Sequence, residues 1–299
     1  MKKKELHIPE LKMQAGVLDT PAGYKIAFKE FAGIKSIKDI VIIVPATGVK
    51  QSYYFKFADF LRNNGYVIFT FDYGGIGESR KYGTLKGFRT SATAWAKNDL
   101  EAVIRFATGK YPGLSLVLIG HSIGGQLIGL APSSVQARQV IIVAAQNGYW
   151  KFWKGGARWR MLFNWYFLFP VITKIFGYFP GKLLGAMEDL PSGMVAEWRK
   201  WCTTPDYFFS DYDRESLFFD KIRGELTVYS IADDDFAPEE AVDWLAGRYK
   251  GMSMNRKHLV PADFGMDKIG HFGMFRSTHK DSFWNMMLVD MEQEDNMVK

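Results

Sequence analysis

The sequence predicts an α/β protein, a mostly parallel, doubly wound sheet carrying an inserted, aromatic-rich helical cap. Three observations lead there. Short continuous apolar runs alternate with amphipathic stretches along most of the chain, the pattern of strands that helices cover on both faces. One such run, 114–119 (Leu-Ser-Leu-Val-Leu-Ile), passes through Gly120-His-Ser-Ile-Gly124 directly into helix-forming residues. The alternation stops once, from 148 to 221, where six of the nine tryptophans lie.

The elements follow in order. Residues 17–31 read as a β-hairpin turning at Thr20-Pro-Ala-Gly23, where proline and glycine supply the turn geometry. Residues 39–45 (Asp-Ile-Val-Ile-Ile-Val-Pro) form a buried strand, 52–64 a helix, 66–72 (Tyr-Val-Ile-Phe-Thr-Phe-Asp) a strand and 91–109 a long amphipathic helix. The strand 114–119 leads into a helix from Gln126, and 139–145 is the next strand. Past the interruption the pattern resumes with a strand at 226–231 and a helix at 238–249, opened by Pro238 and two acids as suits a helix N-terminus. A last strand at 257–260 and a last helix at 280–291 complete it, with a polar, frayed end at 292–299.

Two parts result: a core of 1–147 and 222–299, and a helical cap inserted at 148–221. A connection of that length between core strands is too long for a bare loop. Within it the run 161–179 is apolar nearly all round, yet Asn164, Pro170 and Lys174 divide it. A membrane span needs about 20 predominantly apolar residues, so this stretch is expected to be a cap helix, buried or facing substrate.

Composition narrows the function classes. A chain of 299 residues with 47% hydrophobic and 23% charged residues is ordinary for a globular protein with a large core. Cys202 is the only cysteine, which excludes an intrachain disulfide and reads as a small buried hydrophobe. The lysine-rich start is interrupted by Glu5, Pro9 and Glu10, unlike a secretion signal, and a cytoplasmic location is expected. The net charge of +6 is scattered among acids rather than blocked. That argues against specific nucleic-acid binding and leaves weak association with anionic membrane surfaces as the modest expectation. Asp72-Tyr-Gly-Gly-Ile-Gly-Glu-Ser79 lacks the lysine of a phosphate-binding loop and the spacing of the dinucleotide fingerprint. It reads as a structural loop near the pocket, and neither a cofactor nor a metal is expected.

The chemistry is concentrated at strand ends. A strand-to-helix turn at Gly120-His-Ser-Ile-Gly124 forces strained backbone angles on Ser122 and needs glycine where side chains would collide. A serine hydroxyl is a weak nucleophile unless a neutral histidine takes its proton and a carboxylate orients that histidine. Of five histidines, His7 lies in the N-terminal tail, His121 should point away from Ser122, and His258 falls in the last strand. His271, in a glycine-flanked loop after that strand, is the preferred base, with His279 at the start of the final helix as the fallback. The acid is expected among Asp233, Asp234 and Asp235 after the 226–231 strand, with Asp234 favoured and the others facing water or capping the next helix. Oxyanion donors are expected from the Ile123 amide and from Thr47 or Gly48 in the loop after the first parallel strand.

The elbow, the 72–79 loop, Asp233-Asp-Asp-Phe-Ala-Pro238 and Gly270-His-Phe-Gly273 occur in the order found in the α/β-hydrolase superfamily. The chain resembles that superfamily, and within it the serine-aminopeptidase-like (S33-type) branch of hydrolases, over nearly its whole length outside the insertion. The resemblance implies Ser122 as nucleophile, Asp234 as orienting acid and His271 as base. It departs at Pro45-Ala-Thr-Gly48, where many relatives have His-Gly. The expected activity is a serine hydrolase cleaving an ester or thioester with an apolar acyl group through an acyl-enzyme. The alternatives are an acyltransferase or peptidase using the same residues, or a non-catalytic ligand-binding or scaffold protein. The expected partner is a small acyl substrate, and the sequence sets no oligomeric state. Serine at 122 argues against dehalogenase chemistry, which calls for a carboxylate there.

Overall fold

A computed structural model describes residues 13–32, 37–81 and 83–292. The N-terminal tail with His7, and most of the polar C-terminal end, lie outside the described residues. Eight strands form the central sheet: β1 (Gln14–Asp19), β2 (Lys25–Phe31), β3 (Asp39–Val44), β4 (Val67–Phe71), β5 (Ser115–His121), β6 (Ala137–Val143), and, after a two-strand ribbon of β7 (Tyr178–Phe179) and β8 (Leu190–Pro191), β9 (Gly224–Ile231) and β10 (Met252–Leu259). Their spatial order is β1-β2-β4-β3-β5-β6-β9-β10. The β1–β2 and β2–β4 pairings are antiparallel and the rest of the sheet is parallel.

The periodicity explains this arrangement. Residues 40–44 of β3, all of β4 and residues 116–121 of β5 are buried, as continuous apolar strands must be when helices lie on both faces. The hairpin predicted at 17–31 forms with its turn at residues 20–24. Differences from the sequence reading are local. The helix after β5 starts at Ile123 rather than Gln126, because the turn needs only one residue between strand and helix. The last strand spans Met252–Leu259, longer than expected; its middle is polar and partly exposed because it is an edge strand. Among the described residues, three long helices contain π turns, at Trp95–Leu100, Asn164–Leu168 and Lys280–Trp284, each of which shifts the 3.6-residue phase.

Parallel pairing brings the strand ends level. Val44 is opposite Gly120, His121 opposite Val143, and Ile231 opposite Leu259. Loops leaving β3, β5, β9 and β10 therefore emerge at one edge of the sheet. The loop after β4 is held by two buried carboxylates. Asp72 accepts from the amides of Gln51 (2.7 Å) and Glu78 (2.8 Å). Asp99 accepts from the Gly74 amide (2.7 Å) and the Tyr24 hydroxyl (2.7 Å).

Between β6 and β9 the chain forms helical segments at Gly155–Phe163, Asn164–Leu168, Phe169–Phe176 and Ser192–Cys202. The first three run on as one helix. Trp165 stacks on Phe169 (4.9 Å between centroids) and Phe169 on Phe179 (4.4 Å). Arg199 donates to the Trp165 carbonyl (2.8 Å), and Glu197 accepts from both the amide and the hydroxyl of Thr93. The first bond ties two parts of the segment together, and the Glu197 bonds fasten it to the helix that begins at Ala92. Of the two placements expected for the long helix, buried or facing substrate, full burial does not hold. Its inner residues pack, while Trp159, Phe163, Phe167 and Ile175 are exposed. No helix among the described residues is long and apolar enough to cross a membrane.

Candidate active site

Ser122 sits at the end of β5 with φ 53° and ψ −121°, a conformation that L-residues rarely adopt and that costs of order 1–3 kcal/mol. Its surroundings fix it there. The Ser122 amide donates to the Val143 carbonyl (2.9 Å) and the Gly125 amide to the Ser122 carbonyl (3.1 Å). A Cβ at Gly124 would stand 2.1 Å from the Val44 carbonyl oxygen, and one at Gly120 would stand 2.5 Å from the Gly125 Cα. Glycine at both positions is a steric requirement.

The loop after β10 meets the elbow at His121, and the loop after β9 meets that loop in turn. His271, in the loop after β10, donates from Nδ1 to Asp234 Oδ2 (2.7 Å). The other Asp234 oxygen accepts from the amides of Phe236 (2.8 Å) and Ala237 (3.1 Å), which locks the carboxylate. Ser122, Asp234 and His271 are all buried. Among the three adjacent aspartates the roles diverge. Asp233 is half-buried, and its oxygens accept from the amides of Ile269 (3.1 Å) and Gly270 (3.0 Å), clasping the loop that carries His271. Asp235 is exposed, and its carbonyl accepts from Trp153 Nε1 (2.8 Å).

His121 was expected only to avoid Ser122, and it does more. It is fully buried, and its Nε2 donates to the His271 carbonyl (2.9 Å). A carbonyl can only accept, so the proton is on Nε2 and Nδ1 accepts from the Tyr54 hydroxyl (2.8 Å), which itself accepts from the Ala46 amide (3.0 Å). Burial, and then the neighbouring His271, hold the His121 imidazole well below its ordinary range, so it stays neutral. Burial likewise pushes the Tyr54 phenol up. Neither Asp233 nor His121 carries a motif for these positioning contacts. Only adjacency to Asp234 and Ser122 could have drawn attention to them. The other described histidines stand apart: His258 Nδ1 bonds the Ser230 hydroxyl (2.6 Å), and His279 Nδ1 bonds the Gly273 carbonyl (3.0 Å).

The Ile123 amide opens the helix that follows Ser122, and first-turn amides have no intrahelical acceptor. The loop after β3 crosses beside it, since Gly124 packs against Val44 and Pro45. There the Thr47 hydroxyl is buried without a hydrogen-bond partner among the described residues. Gly48, at φ 64°, lies against Met187 and accepts from the Glu188 amide (2.9 Å). A groove of about 240 Å³ borders His271 and is lined also by Phe236, Phe272, Lys268 and Arg276. No cluster of His, Cys, Asp or Glu that could hold a metal ion is found among the described residues.

With this geometry in place, comparison with solved structures is informative. A carboxyl esterase from Bacillus coagulans superposes with a TM-score of 0.62 over 94% of this chain and 98% of that one, at 14% identity. The chain has the α/β-hydrolase fold. Two further solved structures superpose in the same way: an esterase from Exiguobacterium antarcticum gives 0.58 over 93% of this chain and 100% of that one at 16% identity, and one from Pyrococcus furiosus 0.57 over 95% and 91% at 15%. In sequence, residues 35–168 match the family model described as serine aminopeptidase, S33. That segment holds β3 to β6, the elbow and the start of the insertion, and the match bears out the resemblance read from the motifs. No curated protein sequence matches the chain.

Proposed function

We propose that this α/β hydrolase is a serine hydrolase acting on a carboxylic ester or thioester with an apolar acyl group. The observation that carries the reading is the strained Ser122 at an elbow whose His121 holds the carbonyl of His271 (2.9 Å), a histidine whose Nδ1 is bonded to a locked carboxylate (2.7 Å). His271 Nε2 takes the Ser122 Oγ proton as Oγ attacks the acyl carbonyl. The oxyanion accepts from the Ile123 amide and from an amide of the Thr47–Gly48 turn. Collapse of the tetrahedral adduct breaks the bond to the leaving oxygen or sulfur, which takes the proton from His271, and water repeats the sequence on the acyl-enzyme. Asp234 holds the imidazole in the required tautomer throughout.

The apolar preference rests on what flanks the reacting groups. The Phe236 ring lies 5.4 Å and the Phe272 ring 5.0 Å from His271, and Phe236 is 58% exposed. Met187 covers Gly48 on the oxyanion side. These apolar contacts, beside the charged Lys268 and Arg276 that also line the groove, favour an apolar substrate group. Three of the similar structures are named as esterases, which favours an ester over a peptide. Residues 148–221 act in this reading as the cap, and the protein works in the cytoplasm.

A fluorophosphonate probe tests the assignment. Wild type is expected to label and Ser122→Ala to remain unlabelled, with turnover of a short-chain ester lowered by about 10⁴-fold or more. An unreactive wild type, or near-normal turnover by the variant, overturns it. A series of esters and thioesters of increasing acyl length then locates the substrate.

A further inference from the structure

The long helix of the insertion has two apolar faces. One is filled by Trp165 and Phe169, packed against Trp198 and Phe179. The other carries Trp159, Phe163, Phe167, Val171 and Ile175 at steps of four residues, exposed by 66, 53, 55, 38 and 71%. Phe163 and Phe167 contact each other at 5.2 Å between ring centroids. A helix on a globular surface turns its polar face outward, and an exposed apolar stripe of this size marks an interaction site.

Charge identifies the partner. From Ala102 to Met187 the sequence contains no aspartate or glutamate, while Lys151, Lys154, Arg158, Arg160, Lys174 and Lys182 lie within or beside this helix. Lys154 and Lys182 reach carboxylates of other segments, Glu240 and Glu188. Arg160 and Lys174, on the helix itself, are exposed. The stripe is thus aromatic and aliphatic with a cationic rim.

We propose that this face docks on the surface of an anionic lipid bilayer. The five apolar side chains enter the boundary between headgroups and acyl chains, and the cations meet lipid phosphates. A second copy of the chain suits the face less well, because two-fold pairing would set one cationic rim against another. Attachment is peripheral, since no described helix can span. The inference goes beyond the hydrolase reading and does not depend on it.

The test is sedimentation of the full chain with vesicles of phosphatidylcholine alone or mixed with phosphatidylglycerol. Wild type is expected to pellet with the mixed vesicles, to stay largely in solution with phosphatidylcholine alone, and to be released by salt. The pair Phe163→Glu and Phe167→Glu should lower binding at least tenfold. The pair Arg160→Gln and Lys174→Gln should lower it by roughly fivefold for each cation removed. Circular dichroism melting of both variants checks that they remain folded. Binding that ignores phosphatidylglycerol, or that survives both pairs of substitutions, overturns the proposal. So does a wild-type dimer in light scattering that Phe163→Glu and Phe167→Glu convert to monomer.

Discussion

The edge of the sheet and the insertion beside it treat apolar and polar groups in opposite ways. At the edge almost every group is spoken for: Ser122, His121, Asp233 and Asp234 are each held by backbone partners, and glycines stand where a single methyl would collide. The insertion leaves some of its largest side chains in water, Trp159 and Phe163 among them. The difference teaches that tight packing here serves the placement of a few atoms, whereas the insertion's outer face is shaped for something outside the chain.

The comparison can be broken most sharply among the aspartates. Asp234→Asn is expected to lower turnover by about 10⁴-fold, because the imidazole loses its orienting acceptor. Asp233→Asn only loosens the loop that bears His271, and should cost about 10²-fold or less. Equal losses, measured as kcat/KM on one ester, would mean that the two carboxylates do not divide the work in this way.

Next comes packing. Gly124→Ala is expected to destabilise the fold by about 3 kcal/mol or more, since the Val44 carbonyl must move. Chemical denaturation measures it, and a loss under about 1 kcal/mol would show an elbow more pliant than its contacts imply.

A smaller effect concerns two buried titrating groups with opposite signs. Burial pushes the Asp99 carboxyl up to about 7. The folded state therefore holds a proton that the unfolded chain releases near pH 4, and stability falls as pH rises from about 4 to about 7. His121 is held well below its usual range. The unfolded chain takes up that proton first, so its contribution is present above about pH 6.5 and is lost on acidification below it. Each slope is at most about 1.4 kcal/mol per pH unit, and the two oppose one another between about pH 4 and 6.5. Asp99→Asn should expose the His121 slope, seen as a stability that falls more steeply than wild type on acidification in that window. Parallel curves would refute the assignment. Smallest of all, Phe163→Ser on the exposed stripe should change stability by no more than about 0.5 kcal/mol; a loss of several times that would mean the outer face is part of the core.

Much of the sheet was legible because its strands are buried on both faces and so read as unbroken apolar runs, as in β3 and β4. Ser122 was legible for a related reason, since the glycines that its turn requires are fixed by backbone contact. His271 and Asp234 could be placed at strand ends, and those ends do meet. The insertion was harder to read. An apolar run such as 161–179 does not say which of its faces is covered, and the π turn at Asn164–Leu168 shifts the helical phase within it. The holding contacts of Asp233 and His121 were not legible, because they reach main-chain groups of a distant loop, which leave no trace in side-chain pattern.

The His121 imidazole reaches across 150 residues of sequence to the carbonyl of His271, and it does so from the peptide next to Ser122. In the proposed mechanism both ends of the proton path are therefore referenced to the same turn. A shift of that turn carries serine and histidine together, so their alignment tolerates drift elsewhere in the sheet far better than two independently mounted loops would.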